Sequence, residues 1–298
     1  MSCKHPVIAV TGSSGAGTTT VKRAFENIFR REKITAAIIE GDSLHSLDRM
    51  AFREASAKAA LEGNDSFSHF GPEANHFDKI EDMFKSYGET GMCKRRYYVH
   101  SDAEAAEHNA HFGLTDLKPG MFTPWEDIEA DSDLLFYEGL HGLVKTDTID
   151  ASAHVDLGVG VVPIINLEWI QKIFRDNAER GYSAEATVDT ILRRMPDYVK
   201  HITPQFSRTD INFQRVPTVD TSNPFITRDI PTPDESLVII RFSNPKKIGA
   251  DFPYLLSMIP NSFMSRYNTI VVPGGKMSYA MDLILTPVIH NMIEQRNA

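Results

Sequence analysis

The chain has 298 residues, 42% of them hydrophobic and 24% charged, which is enough for one large α/β domain or two small ones. Its formal net charge of -9 excludes a generally basic surface of the kind that binds nucleic acid or anionic membranes. Cys3 and Cys93 are its two cysteines, so we expect neither a disulfide framework nor a thiolate metal site. No apolar stretch approaches a membrane span, and we expect a cytoplasmic protein.

A short β-branched run lies near the start of the sequence. Residues 7–10 read Val-Ile-Ala-Val, the pattern of a buried parallel strand, and a glycine cluster follows directly. Apolar residues at helical spacing then predict a helix over residues 18–31. The order is therefore strand, glycine turn, helix.

Strands and helices continue to alternate along the rest of the chain. Further strands are predicted over residues 36–39, 134–139, 155–162, 213–219, 237–242 and 269–272. Further helices are predicted over residues 49–61, 74–87, 166–179, 185–199 and 278–295, and a loop with short helices over residues 101–131. Because no linker or repeat interrupts this order, we expect one α/β domain over residues 1–298, with a mixed, mostly parallel sheet covered by helices on both faces.

The glycine cluster has the spacing of a P-loop, GxxxxG followed by two further residues. Its members are Gly12, Ser13, Ser14, Gly15, Ala16, Gly17, Thr18 and Thr19. Inward-facing N–H groups and the helix N-terminus in such a loop bind phosphate oxygens. Thr18 stands where a P-loop ordinarily carries lysine, and Thr19 where the Mg²⁺-binding hydroxyl belongs. A plain glycine-rich turn is the alternative interpretation.

Without the P-loop lysine, another cation has to neutralise the terminal phosphates, because phosphoryl transfer depends on electrostatic stabilisation. The predicted helix over residues 166–180 carries Lys172, Arg175 and Arg180 beside Asp176. Lys172 is an i,i+4 neighbour of Asp176 and an i,i+3 neighbour of Arg175. These residues predict a phosphate-binding helix face, and the alternative is a solvated face with ordinary ion pairs.

Two acidic residues follow or end predicted strands. Asp42 lies just past the strand over residues 36–39, so we expect it in the crevice where α/β sheets bind ligands, as a general base. Glu138 lies near the end of the strand over residues 134–139 and would hold Mg²⁺ or its water. Either acid alone could be a solvated loop residue.

Residues that could bind an anionic sugar occur in two segments of the sequence. His45 and Arg49 follow Asp42, and Tyr98 and His100 follow the basic residues 94–96. Arginine binds phosphate with two parallel hydrogen bonds, and His or Tyr can bond sugar hydroxyls. The alternative for residues 94–96 is a charged surface strand. The pair at residues 193–194 is either surface charge or a second phosphate clamp.

At this point the sequence resembles a known family, the bacterial branch of the phosphoribulokinases. The resemblance extends from His5 to the C-terminal helix. The strings that carry it, in chain order, are GSSGAGTT, EGDSLH, YVH, FYEGLHG, NLEWIQKIFRD, TPQFSRTDINFQRVPTVDTSNPF and IVVPGGK. It implies an ATP- and Mg²⁺-dependent kinase that converts ribulose 5-phosphate to ribulose 1,5-bisphosphate in the Calvin cycle. It also implies a nucleoside-monophosphate-kinase-like fold, a homo-oligomer that is commonly an octamer, and a P-loop that lacks lysine.

The same resemblance assigns roles to the candidate residues. Asp42 takes the proton of the sugar hydroxyl, and Lys172 and Arg175 act in transfer with Asp176. The metal is served by Thr19, Glu138 and Asp176. The residues expected to bind the sugar phosphate are His45, Arg49, Tyr98, His100 and Arg180.

Two features of the sequence concern regulation: one differs from a branch of this family and the other is shared with a branch. The thiol-regulated photosynthetic branch carries a cysteine within its P-loop, whereas this sequence has Ala16, so we expect no disulfide control. The bacterial branch is activated by NADH, and Arg241 and Arg266 match two arginines linked to that effect.

Two other functions share part of this pattern. A kinase of a nucleoside or of pantothenate would use the P-loop, Asp42 and Glu138 but has less need of Arg49 as an anion ligand. A non-catalytic ATP-binding regulator would bind nucleotide without transferring phosphate.

Overall fold

The computed structural model describes residues 4–13, 18–128, 131–226 and 229–297. Side chains are described in these ranges except at residues 18, 19, 179, 180 and 297. The strands are β1 (Val7–Thr11), β2 (Ala36–Glu40), β3 (Cys93–Arg95), β4 (Glu126–Ile128), β5 (Leu134–Gly139), β6 (Leu157–Val161), β7 (Ile211–Pro217), β8 (Ser236–Phe242), β9 (Phe263–Arg266) and β10 (Thr269–Pro273). The helices are α1 (Thr18–Glu32), α2 (Arg49–Leu61), α3 (Phe77–Thr90), α4 (Asp102–Phe112), α5 (Ile165–Arg180), α6 (Ala184–Asp197), α7 (Pro245–Ile248), α8 (Phe252–Met258) and α9 (Met277–Asn297).

Eight strands form one sheet in the order β2-β5-β1-β6-β7-β8-β10-β9, and β3 pairs with β4 separately. The pairs from β2 to β7 are parallel, and β8, β10 and β9 join them antiparallel. This arrangement confirms the predicted α/β class with a mixed, mostly parallel sheet. Because β1 lies between β5 and β6, the glycine loop leaves the interior of the sheet at a point where the strand order reverses. Ligands of open α/β sheets bind at such points.

The core has two layers, one on each face of the sheet. Ile8 and Val10 of β1 face a cluster that includes α1 and α9, while Val7 and Ala9 face a cluster that includes α3. All four side chains are fully buried, as expected for a strand covered on both faces. Among the described helices, none has the combination of length and apolar composition that a bilayer crossing needs.

Most predicted elements are present, and two have the predicted bounds, α2 and β5. Helix α3 begins at Phe77, three residues later than predicted, because residues 72–74 form a 3₁₀ turn and Asn75 forms a β-bridge with His45. Strand β9 was missed. It is a short and largely exposed edge strand, so its sequence carries no core pattern.

The segment over residues 101–131 was predicted as a loop with short helices, and it contains one α-helix and the short strand β4. It contains α4, an eleven-residue helix that Ser101 caps by accepting a hydrogen bond from Glu104 N–H. Gly113 ends this helix at a φ of 66°, a backbone conformation that favours glycine. The hydrophobic periodicity of α4 is weak because, among the described residues of this helix, Ala105 is the one that is buried.

We expect Phe136→Ala to lower the free energy of unfolding by about 3–5 kcal/mol, the usual cost of truncating a buried phenylalanine. Phe136 is fully buried, and its ring centroid lies 4.8 Å from that of Phe25 and 5.5 Å from that of Phe29. Urea denaturation followed by circular dichroism measures the change. Leu61→Ala is the control because Leu61 is 90% exposed, and equal losses in the two variants would contradict this packing.

Candidate active site

A cavity of about 1120 Å³ lies beyond the ends of β2 and β5. It brings together predicted residues from three separate segments of the chain. They are Asp42, His45, Arg49, Tyr98, His100, Lys172, Arg175 and Asp176. A large concave site with several converging charged groups is the default position for a ligand site.

Two glycines determine where the chain turns into this cavity. Gly41 follows β2 and Gly139 ends β5, and a Cβ atom on Gly41 would lie 2.7 Å from the Cα of Gly139. A Cβ on Gly139 would lie 2.6 Å from the Cα of Gly41. Backbone atoms cannot yield to such contacts, so both positions require glycine. The close approach places Asp42, the next residue, at the cavity wall.

Asp42 is paired with His45 inside a short 3₁₀ turn. His45 Nε2 lies 3.4 Å from Asp42 Oδ1, and half of the Asp42 side chain remains exposed. Loss of water around the carboxylate disfavours ionisation, but the contact with His45 and the nearby His100 outweigh it and lower the pKa of Asp42 to about 2. Asp42 is therefore ionised at neutral pH and can accept a proton.

Another part of the cavity lining belongs to α5 and carries the predicted cations. Lys172 Nζ lies 2.6 Å from Asp176 Oδ2, and Arg175 Nη2 lies 2.9 Å from Asp176 Oδ1. Burial lowers the pKa of Lys172. Burial raises that of Asp176, but the contacts with Lys172 and Arg175 outweigh it, so the net direction is downward. Asp176 thus orients both cations toward the cavity.

The P-loop lies only partly within the described residues. Gly12 N–H donates to Gly139 O at 3.2 Å, which joins the start of the loop to the end of β5. Ser14, Gly15, Ala16 and Gly17 lie outside the described residues. So do the side chains of Thr18, Thr19 and Arg180, although the backbones of these three residues are helical.

A buried carboxylate that the sequence did not single out joins α5 to the P-loop. Ser13 Oγ donates to Glu168, and Tyr198 OH lies 3.0 Å from Glu168 Oε2. Burial raises the pKa of Glu168, more than these hydrogen bonds lower it. The available signal was helical spacing, since Glu168 precedes Lys172 by four residues and lies on the same face of α5.

Glu138 lies at the end of β5, outside the lining of the cavity. Its cross-strand neighbours are Val10 on β1 and Glu40 on β2, and Lys22 forms an ion pair with Glu40. Over the described residues, no three His, Cys, Asp or Glu side chains form a metal-binding group. A single carboxylate beside a phosphate loop still fits Mg²⁺, which commonly takes one or two carboxylates and the substrate's phosphate oxygens.

Arg49 and Tyr98 reach the cavity from different segments. Arg49 is the first residue of α2, and its N–H donates to Gly120 O. Gly120 has a φ of 99°, and a Cβ there would lie 2.7 Å from the Cβ of Arg49. Tyr98 forms a β-bridge with Phe122, and its ring lies 5.0 Å from that of His100.

The basic residues 94–96 have structural contacts. Lys94 and Arg95 form ion pairs with Asp127 and Glu126 across the two-stranded sheet. Arg96 donates to the carbonyl oxygens of Ser43 and His45, and burial lowers its pKa to about 10. Arg96 therefore supports the backbone of the turn that carries Asp42.

The two arginines at residues 193–194 have different surroundings in the structure. Arg193 forms an i,i+4 ion pair with Asp189, while Arg194 lines the cavity. Trp169, from the same wall as Lys172, and His69 also line it, and neither was predicted.

Arg241 and Arg266 lie at a second cavity, of about 590 Å³. Thr269 of β10 pairs with Arg241 of β8 on one side and with Arg266 of β9 on the other. The two arginines, far apart in sequence, therefore flank one residue on the same part of the sheet.

A glycine-rich sequence after a central parallel strand, an acidic residue beyond the next strand and a cationic helix that lines the same cavity are the features of a P-loop kinase. The model of the phosphoribulokinase / uridine kinase family matches residues 7–222 of the chain. The chain belongs to this family, as the sequence motifs predict.

Similar proteins match over nearly the whole length. The phosphoribulokinase of Nitrobacter vulgaris is 61% identical over 293 residues, which is 98% of each chain. The chromosomal phosphoribulokinase of Cupriavidus necator is 61% identical over 296 residues, 99% of this chain and 98% of that one. The solved structure of phosphoribulokinase from Rhodobacter spheroides superposes with a TM-score of 0.88 at 53% identity and covers 100% of both chains.

Proposed function

We propose that the chain transfers the γ-phosphoryl group of ATP to ribulose 5-phosphate and releases ribulose 1,5-bisphosphate and ADP. The observation that carries the proposal is the cavity itself. Its lining combines an ionised carboxylate, Asp42, from the turn after β2 with two cations, Lys172 and Arg175, from α5. The full-length similarity to phosphoribulokinases supports the sugar phosphate as acceptor.

Each of these residues has a separate role in the proposed reaction. Asp42 takes the proton of the acceptor hydroxyl as the oxygen attacks the γ-phosphorus, and the bond to the bridging oxygen of ADP breaks. Lys172 and Arg175 stabilise the negative charge that develops on the transferred group. Their shared contact with Asp176 keeps them oriented before the substrates arrive.

The sugar phosphate is bound at the other end of the cavity. We assign its phosphate to Arg49 and its hydroxyls to His45, Tyr98 and His100, with Arg180 as a further phosphate ligand.

Mg²⁺, when bound, would supply positive charge to the β- and γ-phosphates. We assign its protein ligands to Thr19, Glu138 and Asp176. Both oxygens of Asp176 also contact Lys172 and Arg175, so this residue would have to bind Mg²⁺ while it keeps these two cations in place. The P-loop, Gly12 to Thr19, binds the nucleotide phosphates.

Several further properties follow from membership of the family and stay predictions. We propose a cytoplasmic homo-oligomer, with an octamer as the expected size, that acts in the Calvin cycle as a single domain over residues 1–298. Sedimentation of the purified protein measures its size.

The substrate is tested by ADP formation with a panel of acceptors. Ribulose 5-phosphate should support turnover, whereas nucleosides and pantothenate should leave ADP formation at the background rate. A nucleoside as the best acceptor would identify another kinase, and ATP binding without any turnover would identify a regulator.

We expect Asp42→Asn to lower kcat by about 10²- to 10⁴-fold with little change in ATP binding, the usual range for loss of a general base. Asp127→Asn is the matched control, because Asp127 is 78% exposed and far from the cavity residues in sequence. Steady-state kinetics and nucleotide titration measure the two effects. Turnover near that of the wild type would remove Asp42 from the mechanism.

Arg49→Ala should raise the KM for ribulose 5-phosphate by about ten- to a hundredfold and leave the KM for ATP nearly unchanged. A charge-assisted phosphate contact contributes about 1.5 to 3 kcal/mol. Arg193→Ala, which removes a surface ion pair, should change neither constant. Equal increases in both KM values would place Arg49 away from the sugar phosphate.

NADH is the proposed activator, bound at the second cavity. Two arginines flanking Thr269 suit the pyrophosphate of a dinucleotide, which accepts paired hydrogen bonds from guanidinium groups. Such an effector shifts the activity through a coupling free energy of about 1 to 3 kcal/mol.

We expect Arg241→Ala or Arg266→Ala to abolish activation by NADH and to preserve basal turnover, since neither residue lines the first cavity. An NADH titration at subsaturating ribulose 5-phosphate measures the response, and Arg193→Ala should keep it. A flat wild-type titration would exclude the effector site.

A further inference from the structure

The orientation of one buried amide, that of Asn75, is determined by its surroundings. Asn75 Nδ2 donates to His69 O at 2.9 Å and to Gly71 O at 2.7 Å, which uses both of its amide hydrogens. Turning the amide over would place its oxygen against these two carbonyl oxygens. Asn75 Oδ1 therefore points the other way, toward His45.

This orientation determines the position of a proton on His45. Asn75 Oδ1 lies 2.7 Å from His45 Nδ1, and an amide oxygen can only accept a hydrogen bond. His45 Nδ1 must then donate, and so carries a hydrogen. The other ring nitrogen, Nε2, faces Asp42 Oδ1 at 3.4 Å.

Stacking holds the imidazole of His45 in this orientation. The His69 ring lies between those of His45 and Phe52, with centroid distances of 4.2 Å and 3.8 Å. Burial is the main cause that lowers the pKa of His69 to about 2, so His69 is neutral and stacks on His45 without charge repulsion. A β-bridge between residues 45 and 75 joins the two backbones.

We propose that Asn75 is a positioning residue for phosphoryl transfer. It keeps a hydrogen on His45 Nδ1, so that in the neutral ring the lone pair is on Nε2, the atom that faces Asp42. The inference rests on the proposed role of Asp42 as the base. Asn75 itself touches neither the reacting atoms nor the substrate; it acts through His45.

The direct test is the hydrogen position on His45, read from ¹⁵N NMR of ring-labelled histidine. The chain has 11 histidines, and comparison with the His45→Gln spectrum assigns the signals of His45. Nδ1 should be protonated in the wild type. Asn75→Leu should lose this preference. A bare Nδ1 in the wild-type protein would overturn the proposal, whatever the activity of the enzyme.

A double-mutant cycle tests the link to activity. Asn75→Leu should lower kcat/KM for ribulose 5-phosphate by about tenfold, within the range for residues of one hydrogen-bond network. In a His45→Gln background the same substitution should have an effect below about twofold. Equal losses in both backgrounds would show that Asn75 only supports the fold.

Asn268→Leu is the matched control. Asn268 is also buried, and its Nδ2 donates to Phe242 O at the antiparallel end of the sheet. It should lose stability, as Asn75→Leu does, and keep both kcat/KM and the His45 spectrum. Absence of any turnover with ribulose 5-phosphate would refute the proposed function, while the NMR result would still decide the hydrogen position.

Discussion

The contact between Gly41 and Gly139 is the constraint on which the site depends. These glycines bring the carboxyl ends of β2 and β5 within backbone contact, and β5 in turn pairs with β1, the strand before the P-loop. One edge of the sheet thereby presents Asp42 and Glu138 beside the phosphate loop. A side chain at either glycine would separate the strands and move the proposed base away from the nucleotide.

The lining of the cavity combines charges of both signs. Asp42 is held ionised on the sheet side, and the α5 side presents Lys172 and Arg175 around Asp176. The Ser13–Glu168 hydrogen bond joins α5 to the P-loop, so the cations that we propose in place of the loop lysine are connected to the loop itself. In the proposed mechanism, helix α5 completes a phosphate site that the P-loop sequence leaves incomplete.

Local signals in the sequence were sufficient for most of the fold and for part of the site. The buried strand over residues 134–139 and the helix over residues 49–61 have strong, short-range patterns, and their bounds were predicted without error. Asp42 and Lys172 were predicted in the same way, from a position past a strand and from helical spacing. The structure brings both to one cavity, while their roles stay predictions.

The residues that were missed act through distant partners. Glu168 meets Ser13 across 155 residues, and Asn75 meets His45 across 30, so no local pattern marks either contact. Asn75 also precedes a helix whose start was predicted three residues too early, because its β-bridge is a tertiary contact. Propensity and periodicity describe single segments and contain no information on such pairs.

The most direct test of the account is to identify the product that forms from ribulose 5-phosphate and ATP by ³¹P NMR. The account predicts a new phosphate monoester on the C1 oxygen of the sugar, formed in equal amount with ADP. ADP that accumulates with inorganic phosphate and without a new ester would contradict it, because the γ-phosphoryl group would then have passed to water instead of to the sugar hydroxyl at Asp42.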